Sequence, residues 1–322
     1  MYQDPVERPD SDKEWKLIEK MVMNVNAEQR RSRRWGIFFK LLTFVYLFAA
    51  ILIFMPSDVD SSKLAASGKF TALVEVRGVI ADGEEASADI IVTGLRNAFE
   101  AEGAQAVILR INSPGGSPVQ SGYVYDEIMR LKELHQKPVY AVISDLGASG
   151  AYYMAAAADE IYADKASLVG SIGVVGSGFG FVDAMDKLGV ERRLFTAGEH
   201  KAFLDPFSPL DKKEEQFWEQ VLSTTHDQFI EQVKKGRGDR LVDNDKLFSG
   251  LVWTGEQALG LGLVDGLGSS SYVARELVGA EDIVDFTPQP TPFEALVGRF
   301  GTQIGKGIAS MMGLNGMGFQ LQ

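Results

Sequence analysis

Apolar and polar residues follow two different patterns along the chain. Residues 36–56 are almost continuously apolar, whereas after Phe70 short apolar runs alternate with segments in which apolar residues recur every three or four positions. Short apolar runs are typical of strands in a buried parallel sheet, and the longer spacing is typical of helices. The pattern therefore predicts an α/β fold of repeated β–α units with a mostly parallel sheet.

The pattern also places the predicted elements. Strands are predicted at residues 70–76, 106–112, 139–143 and 160–163, and helices at residues 88–101, 119–134, 151–158 and 212–235. Thr254, followed three residues later by Gln257, predicts a capped helix start. Sites in such sheets form where strands end and helices begin, so the turns at these junctions are the first places to search for chemistry.

The apolar segment 36–56 has the length of a membrane-spanning helix, because about 20 apolar residues cross a bilayer. It follows four arginines within residues 30–34, precedes the acidic stretch 56–60, and carries one charge, Lys40, near its start. The positive-inside rule then places the N-terminus in the cytoplasm and the later chain outside it. We predict an uncleaved single-pass signal anchor in the inner (plasma) membrane; a cleaved signal peptide and a buried core helix are the alternatives.

The chain divides into five predicted regions. These are a cytoplasmic N-terminal segment (1–35), the transmembrane anchor (36–56), a tether (57–69), a catalytic domain (70–286), and a proline-rich linker with an amphipathic tail (287–322). The tail is predicted from apolar residues at helical spacing between Phe293 and Met311, although several glycines weaken that helix.

Composition excludes several classes of site. The net charge of −12 argues against nucleic acid as the main partner, because phosphate binding needs a basic surface. The chain has no cysteine, which excludes disulfides, thiolate zinc sites and a cysteine nucleophile. Neither a His-Glu-x-x-His motif nor a nucleotide-binding P-loop occurs, so no metal and no cofactor is expected.

Two glycine-rich turns lie at predicted strand ends. Ser149, within residues 147–151, stands between a strand and a helix, where a serine hydroxyl is exposed beside the positive helix end. Gly115 and Gly116 follow another strand and leave backbone N–H groups able to hold an oxyanion. A serine there is also an ordinary helix cap, and the glycine pair also fits a plain loop. A phosphate cradle is a third interpretation of the glycine pair, but no Gly-Lys-Ser/Thr follows it. From the residues alone, a serine nucleophile with an oxyanion turn stands beside these alternatives.

The base for Ser149 is less evident from the residues. The sequence contains three histidines: His135 lies on a charged helix end and is interpreted as a solvated surface residue, and His226 lies in a polar helix and is interpreted as structural. His200 is a candidate by type, whereas Lys201 stands among small and aromatic residues, where burial would lower the pKa of its amine and make it a base. Local chemistry leaves both His200 and Lys201 open.

Taken together, these motifs resemble the signal peptide peptidase A family of membrane-bound serine proteases, relatives of the Clp protease and crotonase folds. The order Ser-Pro-Gly-Gly, Ala-Ser-Gly-Ala-Tyr-Tyr, Val-Gly-Ser-Ile-Gly-Val and Gly-Glu-His-Lys carries the resemblance, which covers residues 70–279. It implies Ser149 as nucleophile and Lys201 as base. It also implies Gly115 and Gly116 as the oxyanion turn, and Ser171 as a serine that orients the lysine.

The resemblance has further implications. One branch of the family has aspartate after the lysine, where this chain has Ala202, so the lysine's neighbours differ. The expected assembly is a homo-oligomer in which the lysine can come from a neighbouring subunit. The expected substrates are hydrophobic peptides such as cleaved signal peptides, met at the lipid bilayer on its extracytoplasmic (periplasmic) side. The alternatives are a crotonase-like acyl-CoA hydratase or thioesterase, and a non-catalytic membrane scaffold.

Overall fold

The structure is a computed structural model that describes residues 11–54 and 68–289. Parts of four predicted regions lie outside the described residues. These are residues 1–10 of the N-terminal segment, residues 55–56 of the anchor, most of the tether, and the tail from residue 290. The chain divides into two units, and one 44-residue helix, α1 (Ser11–Phe54), is the described part of the first. Among the helices of the described residues, none combines the length and apolar character that crossing a membrane requires.

The second unit contains the remaining described elements. Its strands are β1 (Phe70–Arg77), β2 (Ala104–Ser113), β3 (Val139–Ala148), β4 (Glu160–Ala163), β5 (Leu168–Gly170), β6 (Val252–Thr254), β7 (Gly266–Leu267) and β8 (Ile283–Asp285). Its helices are α2 (Ala88–Glu100), α3 (Pro118–His135), α4 (Gly150–Ala155), α5 (Val182–Leu188), α6 (Lys212–Arg237), α7 (Gly255–Gly260) and α8 (Ser270–Tyr272), which continues into a π-helical segment (Val273–Val278).

The strands form one sheet in the order β6-β5-β3-β2-β1-β8, and β4 joins β3 to β7. Every described strand pair is parallel except β5 with β6, which confirms the predicted α/β class with a mostly parallel sheet. The sheet divides at β3, because residues 140–143 pair with β4 and residues 146–148 pair with β5. This division opens the sheet where β3 ends, next to Ser149.

Side chains alternate between the two faces of the sheet, as its pleat requires. Val74 and Leu109 face the larger core under α2, α3 and α4, whereas Leu73 and Ile108 face a smaller core under the π-helical segment. Burial on both faces explains why the strands are almost continuously apolar. Burying an aliphatic side chain of this kind stabilises the fold by about 1.5–3 kcal/mol.

Local capping fixes where several helices begin. Asp211 accepts hydrogen bonds from the first backbone N–H groups of α6. Thr254 and Gln257 form the predicted capping box at the start of α7. Both caps satisfy donors that a helix leaves unpaired at its N-terminus. The predicted helix at 151–158 is shorter than expected, since α4 ends at Ala155 and the alanines after it form a turn.

A long, exposed segment separates β5 from α6. This segment, residues 174–211, is called the arm below; it contains α5, and most of its side chains are exposed. Its exposed apolar residues include Val175, Phe179, Phe181, Leu188, Val190, Leu194, Phe195, Phe207 and Leu210. Phe195 is 91% exposed and Val175 is 85% exposed, so the arm leaves a large apolar surface uncovered in a single chain.

Candidate active site

Ser149 occupies the sharp turn between β3 and α4. Its backbone has φ 54° and ψ −126°, a left-handed conformation that costs a non-glycine residue about 1–3 kcal/mol. The turn is held by two hydrogen bonds: Ser149 N–H donates to the Gly170 carbonyl (2.8 Å), and Tyr153 N–H donates to the Ser149 carbonyl (3.0 Å). The side chain is half-buried and does not cap α4. The strained turn therefore presents a hydroxyl that local helix capping does not use.

The glycine pair after β2 packs directly against this turn. A Cβ added at Gly115 would lie 2.7 Å from the Ala148 carbonyl oxygen and from Cβ of Ser149, and one at Gly116 would lie 2.1 Å from the Ile80 carbonyl oxygen. Both glycines also have positive φ values, 97° and 150°. No other residue type fits here without moving the backbone, so the pair is needed for the turn to approach Ser149.

The two glycine amides have different environments. Gly115 N–H donates to Oγ of the buried Ser113 (3.1 Å). Gly116 N–H has no acceptor among the hydrogen bonds of residues 68–289. The Gly116 nitrogen lies 3.4 Å from the position that a Cβ would take at Gly150, the residue directly after Ser149. The structure thus brings the predicted oxyanion turn to the predicted nucleophile, with the Gly116 amide unoccupied.

A cavity of about 730 Å³ opens beside Ser149. Three of the predicted site residues line it: Ser149, Ser171 and Gly116. The full lining also contains residues from α3, α4, α6 and the loop after β5: Gly116, Pro118, Val119, Ser149, Gly150, Tyr153, Ser171, Gly173, Val174, Val175, Thr225, His226, Gln228, Phe229, Ser249 and Gly250. The mixture of aromatic and aliphatic walls with a few polar groups is typical of sites that bind organic ligands.

Ser171 lies in the loop that follows β5 and lines this cavity. It has φ 49°, and its N–H donates to the Leu251 carbonyl (2.8 Å). The preceding residue, Gly170, accepts the hydrogen bond from Ser149 N–H. Ser171, which the resemblance implies as the serine that orients the lysine, therefore shares one cavity and adjacent backbone with Ser149.

Lys201 and His200 lie elsewhere in the single chain. Both belong to a turn of the arm, both are exposed, and neither lines the Ser149 cavity. Phe203 attaches this turn to α6 by packing its ring against Phe217 (5.7 Å between centroids) and Trp218 (6.0 Å). One chain thus does not form the apolar pocket that the sequence predicted around Lys201.

Sequence reasoning missed two contributors to the cavity. His226, which was interpreted as structural, lines the cavity from α6, and its Nε2 lies 3.1 Å from the Ile172 carbonyl oxygen. Tyr153 follows Ser149 by one helical turn, packs against Phe229 (5.1 Å between centroids), and has its pKa raised by burial and by Asp126 and Tyr125. No periodicity in the sequence marks either residue as part of a site.

The described residues offer no evident metal site. Within residues 11–54 and 68–289, no three histidine, aspartate or glutamate side chains converge as metal ligands would.

Comparison with known proteins gives the family. The profile of peptidase family S49 matches residues 132–283. The Na(+)/H(+) antiporter NhaA of Brucella abortus is 48% identical over 185 residues, 58% of this chain and 25% of that protein. Protease 4 of Haemophilus influenzae is 38% identical over 218 residues, 66% of this chain and 35% of that protein. The matched regions thus span about a quarter to a third of these relatives.

A shorter relative is matched over most of its length. The putative signal peptide peptidase SppA of Enterococcus faecium is 30% identical over 230 residues, 69% of this chain and 67% of that protein. The family and the names of these peptidase relatives support the predicted enzyme class, a serine peptidase. From the family profile and this relative, the chain belongs to peptidase family S49, the signal peptide peptidase A family.

Proposed function

We propose that this protein is a membrane-anchored serine endopeptidase in which Ser149 is the nucleophile and Lys201 of a neighbouring copy is the general base. One observation carries the proposal most directly. Ser149 sits in a strained turn on a cavity, beside an unoccupied Gly116 amide, and its hydroxyl does not cap the helix that follows. That arrangement fits an activated serine nucleophile. A serine that served only as a helix cap would instead hydrogen-bond to the backbone at the start of α4.

The reaction is acyl transfer to Ser149. The Lys201 amine takes the proton from Oγ of Ser149 as that oxygen bonds to the scissile carbonyl carbon. The protonated lysine then gives this proton to the leaving amine as the C–N bond breaks, and water hydrolyses the acyl-enzyme by the reverse sequence. Serine–lysine pairs are an established variant of the catalytic triad. In this mechanism Ser171, on the wall of the same cavity, orients the lysine amine.

Backbone amides stabilise the oxyanion. Because Gly115 N–H already donates to Ser113, Gly116 N–H is the donor of the glycine pair that remains for the substrate oxygen. Gly150 N–H, which follows the nucleophile at the start of α4, is the second donor, an arrangement that other serine hydrolases use. Each such donor contributes roughly 3 kcal/mol in the transition state. The role of Gly115 is to let the turn come close to Ser149.

The exposed arm supports an assembly of several copies. Lys201 lies on the arm, away from the cavity of its own chain, and the arm carries a row of exposed apolar residues that includes Phe195. Three of these side chains, Phe179, Phe181 and Phe207, pack against one another while staying exposed, and a second copy of the chain would cover such a cluster. A head-to-tail arrangement closes into a ring and gives every Ser149 one lysine.

The apolar part of α1 supports membrane attachment. Between Ile37 and Phe48 its large apolar side chains are exposed, including Phe44 (71%) and Leu41 (62%). Exposed apolar groups next to the arginines of residues 30–34 fit a helix surrounded by lipid with its N-terminal side in the cytoplasm. This would place Ser149 on the extracytoplasmic side of the plasma membrane, where cleaved signal peptides and other hydrophobic peptides are the substrates.

A mixing experiment tests the lysine and the assembly together. The full-length Ser149→Ala and Lys201→Ala variants are each expected to be inactive on a fluorogenic hydrophobic peptide in detergent. Co-expressed at equal levels, they should recover about one quarter of the wild-type rate, because half the serines and half the neighbouring lysines are intact in a random ring. If both residues acted within one chain, no chain would carry both, and the mixture would stay inactive.

Two controls identify the base. Lys187→Ala changes another exposed lysine of the arm and should leave the rate unchanged. His200→Ala removes the neighbouring candidate base and should retain activity. An inactive His200→Ala together with an active Lys201→Ala would transfer the role of base to His200. Loss of fluorophosphonate labelling in Ser149→Ala identifies the nucleophile and separates a peptidase from a hydratase or a scaffold.

A further inference from the structure

His226 is placed to act on the loop behind Ser149. It lies in the middle of α6, is half-buried, and lines the cavity. Its Nε2 is 3.1 Å from the Ile172 carbonyl oxygen, a group that can only accept a hydrogen bond. The hydrogen must therefore be on Nε2, and this N–H donates to the Ile172 carbonyl.

The carbonyl that His226 holds belongs to the loop that contacts the nucleophile. Ile172 directly follows Ser171, whose left-handed backbone (φ 49°) has to be maintained by its neighbours. On the other side of Ser171, the Gly170 carbonyl accepts from Ser149 N–H (2.8 Å). Three consecutive residues thus connect the imidazole to the backbone of Ser149, with Ser171 between them.

The other hydrogen bonds of this loop come from a different part of the fold. Its remaining bonds are backbone bonds to the segment before β6: Gly250 N–H donates to the Ile172 carbonyl (3.1 Å), and Ser171 N–H donates to the Leu251 carbonyl (2.8 Å). Among the described residues, His226 is the α6 side chain that hydrogen-bonds to this loop. Other α6 side chains bond within the helix or toward its ends, as Thr224 does to the Gln220 carbonyl.

We propose that His226 is a positioning residue, whose Nε2–H fixes the Ile172 carbonyl and thereby holds Ser171 and the Ser149 turn in the reactive geometry. The inference rests on the proposed serine peptidase function. A displacement of about 1 Å at a nucleophile is enough to slow a reaction substantially, so losing the bond should reduce the rate of the chemical step more than substrate binding.

Two substitutions at position 226 separate the hydrogen bond from the shape of the ring. His226→Phe keeps an aromatic ring and removes the donor. His226→Gln removes the ring and keeps an N–H donor at the position of Nε2. The rate of fluorophosphonate labelling at Ser149 should fall about tenfold in the phenylalanine variant and recover in the glutamine variant. With a peptide substrate, kcat should fall and KM should change little in His226→Phe.

The control is Thr224→Val, an exposed α6 residue outside the cavity, which should label at the wild-type rate. Wild-type labelling of a folded His226→Phe variant would overturn the inference, as would slow labelling of a folded His226→Gln variant. If His226→Phe does not fold, His226→Leu replaces it as the variant without a donor and is judged by the same criterion. A wild-type protein that is not labelled at Ser149 contradicts the proposed function instead.

Discussion

The Arg237–Asp265 ion pair provides a stability prediction that can be worked out from its geometry. Arg237 ends α6 with its side chain 1% exposed, and Asp265 precedes β7 with its side chain 15% exposed. Two hydrogen bonds join them, from Nη1 to Oδ2 (2.7 Å) and from Nη2 to Oδ1 (2.9 Å). The guanidinium also donates to the Gly262 carbonyl, and Ile161 N–H donates to the carboxylate (2.7 Å).

The perturbation is Asp265→Asn. The amide oxygen can still accept from Ile161 N–H, but the negative charge opposite Arg237 is lost. Removing one partner of a buried ion pair costs about 3–5 kcal/mol, because the remaining charge is buried without compensation. Since the asparagine keeps neutral hydrogen bonds, we expect the lower end of this range, about 3 kcal/mol. Urea unfolding at pH 7, followed by circular dichroism, measures the difference.

The pH dependence gives an independent check. Hydrogen bonds from Arg237 and Ile161 and the charges of Arg237 and Arg240 lower the pKa of Asp265 despite its burial. A carboxyl whose pKa is lowered on folding stabilises the protein above its unfolded pKa of about 3.9 and loses that contribution as the pH falls through the folded value. The difference between wild type and Asp265→Asn should therefore be largest near neutral pH and should shrink in acid below about pH 4.

A matched control uses an exposed ion pair. Glu191 and Arg193 are 3.2 Å apart, with side chains 73% and 74% exposed. Glu191→Gln should leave the urea midpoint unchanged, because solvent screens such pairs. Equal stability of Asp265→Asn and wild type at pH 7, or a difference that stays constant into acid, would refute the argument that this pair is electrostatically important.

Three further predictions concern the active-site turn and one helix end. Ser113→Ala leaves Gly115 N–H without its acceptor and should cost about 1–3 kcal/mol in thermal unfolding, together with slower Ser149 labelling; a variant with wild-type stability would contradict it. Gly150→Ala places a Cβ 2.4 Å from Oγ of Ser121 and should slow labelling, and adding Ser121→Gly should restore it if that contact is the cause. Lys137→Met removes hydrogen bonds to the Phe99 (2.7 Å) and Ala101 (2.6 Å) carbonyls and should destabilise the fold by about 1–2 kcal/mol in urea, with no effect on labelling.

Periodicity predicted the long elements well and the short ones poorly. The strand predicted at residues 70–76 and the helix predicted at 212–235 correspond to β1 (Phe70–Arg77) and α6 (Lys212–Arg237) within two residues. By contrast, β5, β6, β7 and β8 have two or three residues each, too few for a period to be visible. Their pairing depends on the strands beside them and is a property of the whole sheet.

The early end of α4 coincides with a tertiary contact. The alanines after Ala155 favour helix by propensity. The structure instead brings Gly236 of α6 against the carbonyl of Ala156, where a Cβ on that glycine would lie 1.9 Å from the oxygen. Packing of α6 at this point coincides with the turn that follows α4, and propensity summed along one segment contains no information about such a contact.

The sequence by itself determined the α/β class, the serine turn at Ser149 and the glycine pair next to it. Apolar spacing reports which face of an element is buried, and glycines mark where the backbone must turn or approach closely. Only the tertiary structure decided which side chains meet. It placed His226 on the Ser149 cavity and Lys201 outside it, because spacing along one element does not specify which distant segment covers it.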